Sequence, residues 1–540
     1  MPSGHRNPVY PYRRSADQDG AAARHHPVVI VGAGPSGLSA AIELAVCGVP
    51  AVVLDDNDTV STGSRAICFA KRTLEIWDRL GCAAPMLAKG VEWQVGRVFF
   101  RDEQVYQFNL MPEGGHKMPA FINLQQYYVE EFLVDRCREL PQIDLRWKNS
   151  VTRVTQHRDT VALDVETPDG CYQLTCDYLL AADGANSVIR QSLEAGGRGQ
   201  EFQDQFLICD ISMEADFPTE RWFWFDPPFH RGHSVLLHRQ PDNVWRVDFQ
   251  IGADADAAAA LKIENIAPRI TAMLGADRRW NLEWASAYRF RCRKLDQFVH
   301  GRVVFIGDAA HQVSPFGARG ANGAVQGVEN LIWKLVRVMR NDASPALLAS
   351  YDAERQHGAS ENLLNSTRAT DFITPKSAIS RLFRDSTLQL SKRYPFARTL
   401  VNSGRLSAPC RYENSPLNTT DDAPFTPLAR PGSAAPDAAV IRNGRPGWLL
   451  ESFGGRFVLL VAGIDVPDRV RGVPDLTVLE LGVDLTDAKG DLVRRYDLGG
   501  GGAYLIRPDQ HVAARWRRLD ARVVERARRR ALGYEMENVA

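Results

Sequence analysis

The chain has 540 residues, 44% of them hydrophobic, and its 65 Lys+Arg are balanced by 65 Asp+Glu for a formal net charge of zero. That length predicts two or three domains rather than one. The charge balance excludes a broad basic surface, so no nucleic-acid partner is expected, and the longest apolar run, Phe457 to Ile464, is far short of the ~20 residues a membrane helix needs, so no membrane partner is expected either.

Residues 1–26 are polar, carry Arg13, Arg14 and Arg24, and lack an apolar centre. This excludes a secretory signal and predicts a disordered tail. Nine cysteines are scattered without a CxxC pair, which predicts reduced thiols in a cytoplasmic protein and no metal site. An apolar strand, Val28–Val31, then meets Gly32-Ala33-Gly34-Pro35-Ser36-Gly37. A helical stretch runs from Ser36 to about Cys47, Gly48 ends it, and a second apolar strand, Ala51–Leu54, leads into Asp55. This is a βαβ unit of the length a dinucleotide fold uses.

The three glycines have separate expected tasks. Gly32 permits the tight turn, Gly34 lets backbone approach a pyrophosphate, and Gly37 lets helix pack on strand. The helix N-terminus offers free amides and a partial positive charge to phosphates. Asp55 is placed to accept from a ribose hydroxyl. Arg65 is either a solvated surface cation or one that closes over the cofactor.

Further along, residues 68–80 and 126–139 are expected to be helical. Asp177–Arg190 reads as a strand, a tight turn at Asp183-Gly184 and a helix. Residues 200–292 change character to aromatic-rich strands, among them Arg221–Phe225 and Ser234–His238. In Val244–Ile251 the apolar Trp245, Val247, Phe249 and Ile251 alternate with Arg246, Asp248 and Gln250, the period of a half-buried strand. Gly301–Ile306 is a strand that leads into Gly307-Asp308. The run Pro315-Phe316-Gly317-Ala318-Arg319-Gly320-Ala321-Asn322 opens a helix over 322–340, so amides and a dipole's positive end converge there. Residues 405–437 have linker composition, and a small α/β pattern follows.

The glycine turn, Asp183-Gly184 and Gly307-Asp308, in this order and spacing, resemble the single-component FAD-dependent aromatic-ring hydroxylases, in particular their phenol and 3-(3-hydroxyphenyl)propionate hydroxylase branch. The resemblance implies an α/β fold in which a Rossmann-like FAD-binding domain (27–195 and 293–375) is split by a β-sheet substrate domain (196–292, with 95–120). It further implies a helical linker (376–424) and a C-terminal thioredoxin-like domain (425–540) with no cysteine beyond Cys410 to form a dithiol. By resemblance, Gly32, Gly34 and Gly37 hold the FAD pyrophosphate and Asp55 the ribose, while Arg65 lies near the flavin. Gln126 matches the glutamine beside the ribityl chain. Asp183 and Gly184 buttress the pyrophosphate region, Gly307 and Asp308 meet the ribityl chain, and Pro315, Gly320 and Asn322 wrap the ring system. One departure is Gly327, where the family usually has an acid; Glu329 stands two residues on.

The implied activity is hydroxylation of a phenolic ring with NADPH or NADH and O2 through a C4a-hydroperoxyflavin. Only one GxGxxG unit is present, so the nicotinamide is expected as a visitor. Tyr288, His238, His233 and Arg289 are the candidate polar groups of the substrate chamber, a His or Tyr among them being suited to carry the phenolic proton, and a structural role is open for each. Trp222, Phe223, Trp224, Phe225 and Phe229 suit a planar ligand or a core. Two other functions are weighed. Trp222-Phe223-Trp224-Phe225-Asp226-Pro227 imperfectly imitates a halogenase signature, and a flavoprotein that sequesters an aromatic ligand without turnover is compatible with the same features. A small aromatic substrate is the expected partner, and a homodimer is left open.

Overall fold

Val28, Val29 and Ile30 are β-branched, uncharged and fully inaccessible, as a strand covered on both faces requires. In the computed structural model, which describes residues 5–20, 22–63, 65–401 and 406–535, they belong to the strand Arg24–Val31. This strand pairs in parallel with Ala51–Asp55 on one side and Gly170–Ala181 on the other. Ile143–Trp147 and Val303–Phe305 extend the parallel set at its two edges. Between Gly170–Ala181 and Val303–Phe305 the chain builds five strands of a second sheet, so it leaves the first sheet there and returns to complete it. Helices Pro35–Val46 and Gly320–Met339 cover the first sheet, burying Leu38 and Ile42, and Val325, Val328 and Leu331, in one core.

The second sheet runs, edge to edge, His311–Gln312, Asn281–Leu295, Gly197–Ser212, Val244–Gly252, Ser234–Arg239, Arg221–Phe225, Val95–Phe100 and Glu103–Asn109. All its neighbours are antiparallel except Arg221–Phe225 against Val95–Phe100. Both faces are covered. Leu207, Val235, Val247 and Phe249 form an outer core with Ile266 and Ile270 of helix Ile263–Leu274. Phe206, Phe223, Phe225 and Phe290 form an inner core with Phe316. The expectation of a half-buried strand at 244–251 is thereby corrected: Arg246 and Gln250 are buried, Arg246 pairing with Asp210 on the neighbouring strand and donating to the Arg65 carbonyl of the first domain, Gln250 accepting from the Ser234 amide.

The disordered tail is also corrected. Tyr10 is buried and stacks on Trp147 with ring centroids 4.5 Å apart. Asp17 is buried and accepts from Arg146 (2.8 Å) and His26 (2.7 Å). A few anchoring side chains suffice where composition shows only polarity. Residues 1–4 and 21 of that stretch lie outside the described residues. The C-terminal thioredoxin-like unit has the sheet Leu476–Glu480, Phe457–Ala462, Gly502–Ile506, Val512–Trp516, a parallel pair followed by two antiparallel neighbours. Its core takes in Trp333 and Leu347 from the helices Gly320–Met339 and Leu347–Ile373. No helix among the described residues is long and apolar enough to cross a membrane.

Candidate functional site

The glycine turn shows a distinct reason for each glycine. At Gly37 a Cβ would lie 1.9 Å from the Gly32 carbonyl oxygen, so the helix approaches the turn as only glycine allows. At Gly32, with φ +106°, a Cβ would lie 2.4 Å from the Ala182 carbonyl oxygen. At Gly34 a Cβ would meet nothing within 4 Å. The backbone there borders open space, as a pyrophosphate cradle demands. Asp55 accepts from the Ala33 amide (2.6 Å) and the Asn57 amide (2.9 Å), which fastens the turn to the end of its strand. Oδ1 also accepts from the Asn57 side-chain amide (3.1 Å), and Oδ2 keeps a further lone pair for a ribose hydroxyl. Desolvation raises the Asp55 pKa, opposed by those amide donors.

The second wall meets the first at Gly307. A Cβ on Gly307 would lie 2.6 Å from Ser36 Oγ and 3.9 Å from Ala324 Cβ. Ser36 is in the first turn of Pro35–Val46, and Ala324 in the second turn of Gly320–Met339. The positive ends of two helix dipoles, each with first-turn amides lacking intrahelical partners, thus converge on one place. Gly184, with φ +76°, also borders open space, and Asp183 accepts from the Ile189 amide (3.1 Å), which holds that third turn against the next helix.

Asp308 and Tyr288 show what lies between the walls. Each side chain is accessible to solvent-sized space, yet the surrounding protein desolvates both, raising the Asp308 pKa and pushing the Tyr288 phenol up to about 12. Accessible atoms ringed by protein are the mark of a deep cleft. Arg65 projects into the same space, within electrostatic reach of Asp308, Tyr288 and Glu130. Open backbone at Gly34 and Gly184, two helix starts and the Arg65 cation along one cleft fit a group with phosphates at one end and an electron-rich ring at the other.

Two predicted cofactor residues take other roles with their side chains. Gln126 accepts from the Ala66 amide (3.0 Å) and donates to Glu130 (2.7 Å), while Glu130 accepts from the Ser61 amide (2.5 Å). The pair therefore positions the Arg65 loop. Asn322 Oδ1 accepts from the Ala70 amide (2.8 Å) and Thr73 (2.7 Å), and its Nδ2 donates to the Cys68 (2.8 Å) and Ala318 (2.6 Å) carbonyls. With every amide valence engaged, Asn322 staples the Pro315–Gly320 loop to strand Cys68–Ala70 and helix Lys71–Arg79. Pro315 stands exposed on that loop, its carbonyl accepting from the Ala318 amide (3.0 Å). Gly327 also gains a reason: a Cβ there would lie 3.3 Å from Arg355 Nε, and Arg355 donates to the Gly323 carbonyl (2.8 Å) behind the loop. Glu329 is held by Arg72, at 2.7 and 2.8 Å.

The inner face of the second sheet roofs the cleft. Strand pairing aligns Arg221 with Gly96, His238 with Arg246, and Asp210 with both Arg246 and Trp284. The next row holds Val98, Phe223, Leu236, Asp248, Ile208 and Ser286. Arg246 and Asp210 form a buried pair (2.9 Å), and Arg246 also donates to the Arg65 carbonyl (2.8 Å), which fastens roof to wall. His238 is buried beside Cys68 (3.9 Å); desolvation, then the charges of Arg221 and Arg246, hold its pKa well below the usual histidine value, so it is a neutral imidazole. Asp248 is the group sequence reasoning missed. It is half-buried, its Oδ1 has no hydrogen-bond partner, and desolvation raises its pKa to about 6. The alternation at 244–251 already put it on one face with Arg246; what sequence could not show is that this face is the roof.

His233 is not part of this group. It precedes strand Ser234–Arg239 at the end opposite His238, five residues and ~16 Å away at strand rise. It lies against the His230 ring (5.3 Å) and is within electrostatic reach of Asp204 and Arg381. The aromatic run is likewise divided by the strand period: Phe223 and Phe225 face inward, Trp222, Trp224 and Phe229 pack on the outer core.

The family described as FAD binding domain matches residues 25–366. The chain belongs to that family. Among curated relatives of this FAD binding domain protein, a flavin-dependent monooxygenase of Mycobacteroides abscessus is 28% identical over 510 residues, covering 90% of this chain and 96% of that one. A para-nitrophenol 4-monooxygenase of Pseudomonas sp. is 28% identical over 339 residues, 61% of this chain and 82% of its own length. The solved flavin-dependent monooxygenase PieE, in complex with FAD and substrate, shares the fold with a TM-score of 0.81 at 22% identity, covering 94% of this chain and 99% of its own.

Proposed function

We propose that this FAD binding domain protein is a monooxygenase that hydroxylates a phenolic ring, with NAD(P)H and O2 as co-substrates, as in the phenol-hydroxylase branch. The observation that carries this is Gly307 in contact with the starts of two helices, beneath a sheet face that bears both aromatic and ionisable groups. The names of the relatives support the same class.

When bound, FAD supplies the redox chemistry, accepting hydride from the nicotinamide and passing one oxygen atom of O2 to the ring. The protein supplies the rest. Gly34 and the first-turn amides of Pro35–Val46 bind the pyrophosphate, Asp55 the ribose, and Asp308 a polyol hydroxyl. The amides at Gly320 and the Arg65 guanidinium steady negative charge on the reduced ring without rearranging. The sheet roof keeps water out. Tyr288, a phenol through the neutral range, donates to a substrate oxygen. Asp248, with pKa about 6, is ionised at neutral pH and suited to take the phenolic proton. His238 lies among the roof's charged groups, as a neutral orienting side chain rather than an acid.

Halogenation is disfavoured because Trp222 and Trp224, the core of the imitated signature, pack on the outer core. A screen of phenols and hydroxylated aromatic acids for stimulated NAD(P)H oxidation, with products identified by mass, tests the proposal. Gain of one oxygen is expected. Tight ligand binding with no oxygen uptake would instead establish sequestration.

A further inference from the structure

Beside the cleft, the roof and helix Leu347–Ile373 border a small pocket lined by Phe223, Phe225, Phe316, Ala369 and Ile373 among others. Its walls are largely apolar, with three arginines among them, Arg97, Arg221 and Arg319. Arg221 lines the pocket and is 9% exposed. The other arginines nearby are engaged: Arg97 with Glu220 (2.5 and 3.0 Å), Arg246 with Asp210, Arg319 with Asn362 (3.1 Å). No hydrogen-bond or ion-pair partner for Arg221 exists among the described residues. Asp248 and the Cys68 thiol lie within electrostatic reach, and Arg221 hydrogen-bonds to neither. Asp248 offsets part of its charge but leaves the five N–H donors of the guanidinium unmet. The guanidinium nitrogens keep access to the pocket, where a ligand anion can pair with them.

We propose that Arg221 is the anion anchor of the substrate pocket, so that the ring compound taken there carries a carboxylate. The planar fork of arginine matches two carboxylate oxygens, and Phe223 and Phe225 on the same strand face flank the ring. Asp248 lies two strands away and two residues further along, about 12 Å at ordinary strand spacing and rise. A single ring bridging the two places its acid group on Arg221 and its hydroxyl toward Asp248. This deepens the hydroxylase reading and rests on it for the chemistry at the ring, not for the binding preference.

The test is calorimetric titration of the FAD-loaded protein with 3-hydroxyphenylacetate, 3-hydroxybenzoate and the primary amide of each. The expected result is acids binding at least tenfold tighter than the matching amides. Arg221→Gln should abolish that preference while retaining amide binding, and Arg221→Lys should restore part of it. Equal binding of acid and amide by the unaltered protein, no binding of either, or a preference that survives Arg221→Gln would overturn the proposal. Should the glutamine variant not fold, crystals of the unaltered protein soaked in bromide serve instead. Bromide at the guanidinium supports the anchor, and a guanidinium found paired to a protein carboxylate refutes it. An acid preference in protein that never oxidises NAD(P)H would leave the anchor standing and sink the hydroxylase reading alone.

Discussion

The glycine turn separates two kinds of residue requirement that share one motif. Gly37→Ala puts a methyl 1.9 Å from a carbonyl oxygen, an overpacking well beyond the ~3 kcal/mol a core usually absorbs. No folded protein is expected from it. Gly34→Ala meets no atom within 4 Å, so the chain should fold with unchanged thermal stability and bind FAD about tenfold or more weakly, a loss of ~1.4 kcal/mol. Unchanged FAD affinity in Gly34→Ala would refute the cradle. The close approach at Gly37 was legible in the sequence because it depends on the nearby Gly32 carbonyl, whereas the Ala182 carbonyl that crowds Gly32 comes from a strand distant in the chain. Asp248 was not legible, since its pKa depends on burial by strands distant in the chain. Asp248→Asn is expected to lower kcat by about 100-fold, within the usual range for a lost general base. The unaltered enzyme works with Asp248 ionised, so its rate should fall as pH drops below about 6, and that acid limb should vanish in the asparagine variant. A variant with full rate and the same limb would remove Asp248 from the chemistry.

At the scale of elements, most strands and helices followed the hydrophobic period, but the helix expected over 68–80 is Lys71–Arg79, preceded by the strand Cys68–Ala70. Gln126–Glu139 forms the expected helix, and Arg221–Phe225 the expected strand. Solvent exposure did not follow. An alternating strand looks the same in sequence whether its polar face meets water or other protein, which is why 244–251 reads as half-buried. The tail, 1–26, failed for a related reason: Tyr10 and Asp17 are fixed by Trp147 and Arg146, more than a hundred residues away. His233 and His238 were equivalent as sequence and are separated by one strand length in space. Asn322 shows how loops are set by side chains that never touch a ligand. Removing its amide leaves the Ala70 and Thr73 donors and the Cys68 and Ala318 carbonyls without it, so Asn322→Ala should destabilise the apo protein by about 3 kcal/mol. A change within ~0.5 kcal/mol on thermal unfolding, the usual effect of a neutral surface substitution, would contradict the staple.

On the scale of the whole molecule, the C-terminal unit is tied to the cofactor domain by buried charge. Arg507 donates to Glu354 (2.6 and 3.1 Å) and to Asp509 (2.5 Å), and Lys334 donates to Glu354 (2.6 Å), all four side chains inaccessible. Lys334 and Glu354 lie on the two helices behind the Pro315–Gly320 loop. Arg507→Met would leave two carboxylates beside one ammonium, a cost of about 3–5 kcal/mol by chemical unfolding. Desolvation works to raise the Glu354 pKa, but Arg507 and Lys334 outweigh it and hold the carboxyl far below its usual range. A depressed acid contributes stability above its unfolded pKa of about 4.3 and loses it as pH falls below that value, so the variant should show a weaker loss of stability in acid. The tail thus braces the helix that opens over the flavin site, a role that needs no dithiol. Everything else depends on the two walls, the turn at Gly32–Gly37 and the segment Gly307–Asn322, holding one cofactor between them. The direct measurement is the flavin content of the purified chain, by visible absorbance before and after incubation with FAD. One tightly bound FAD per chain is predicted, and a protein that stays colourless after reconstitution would contradict the account.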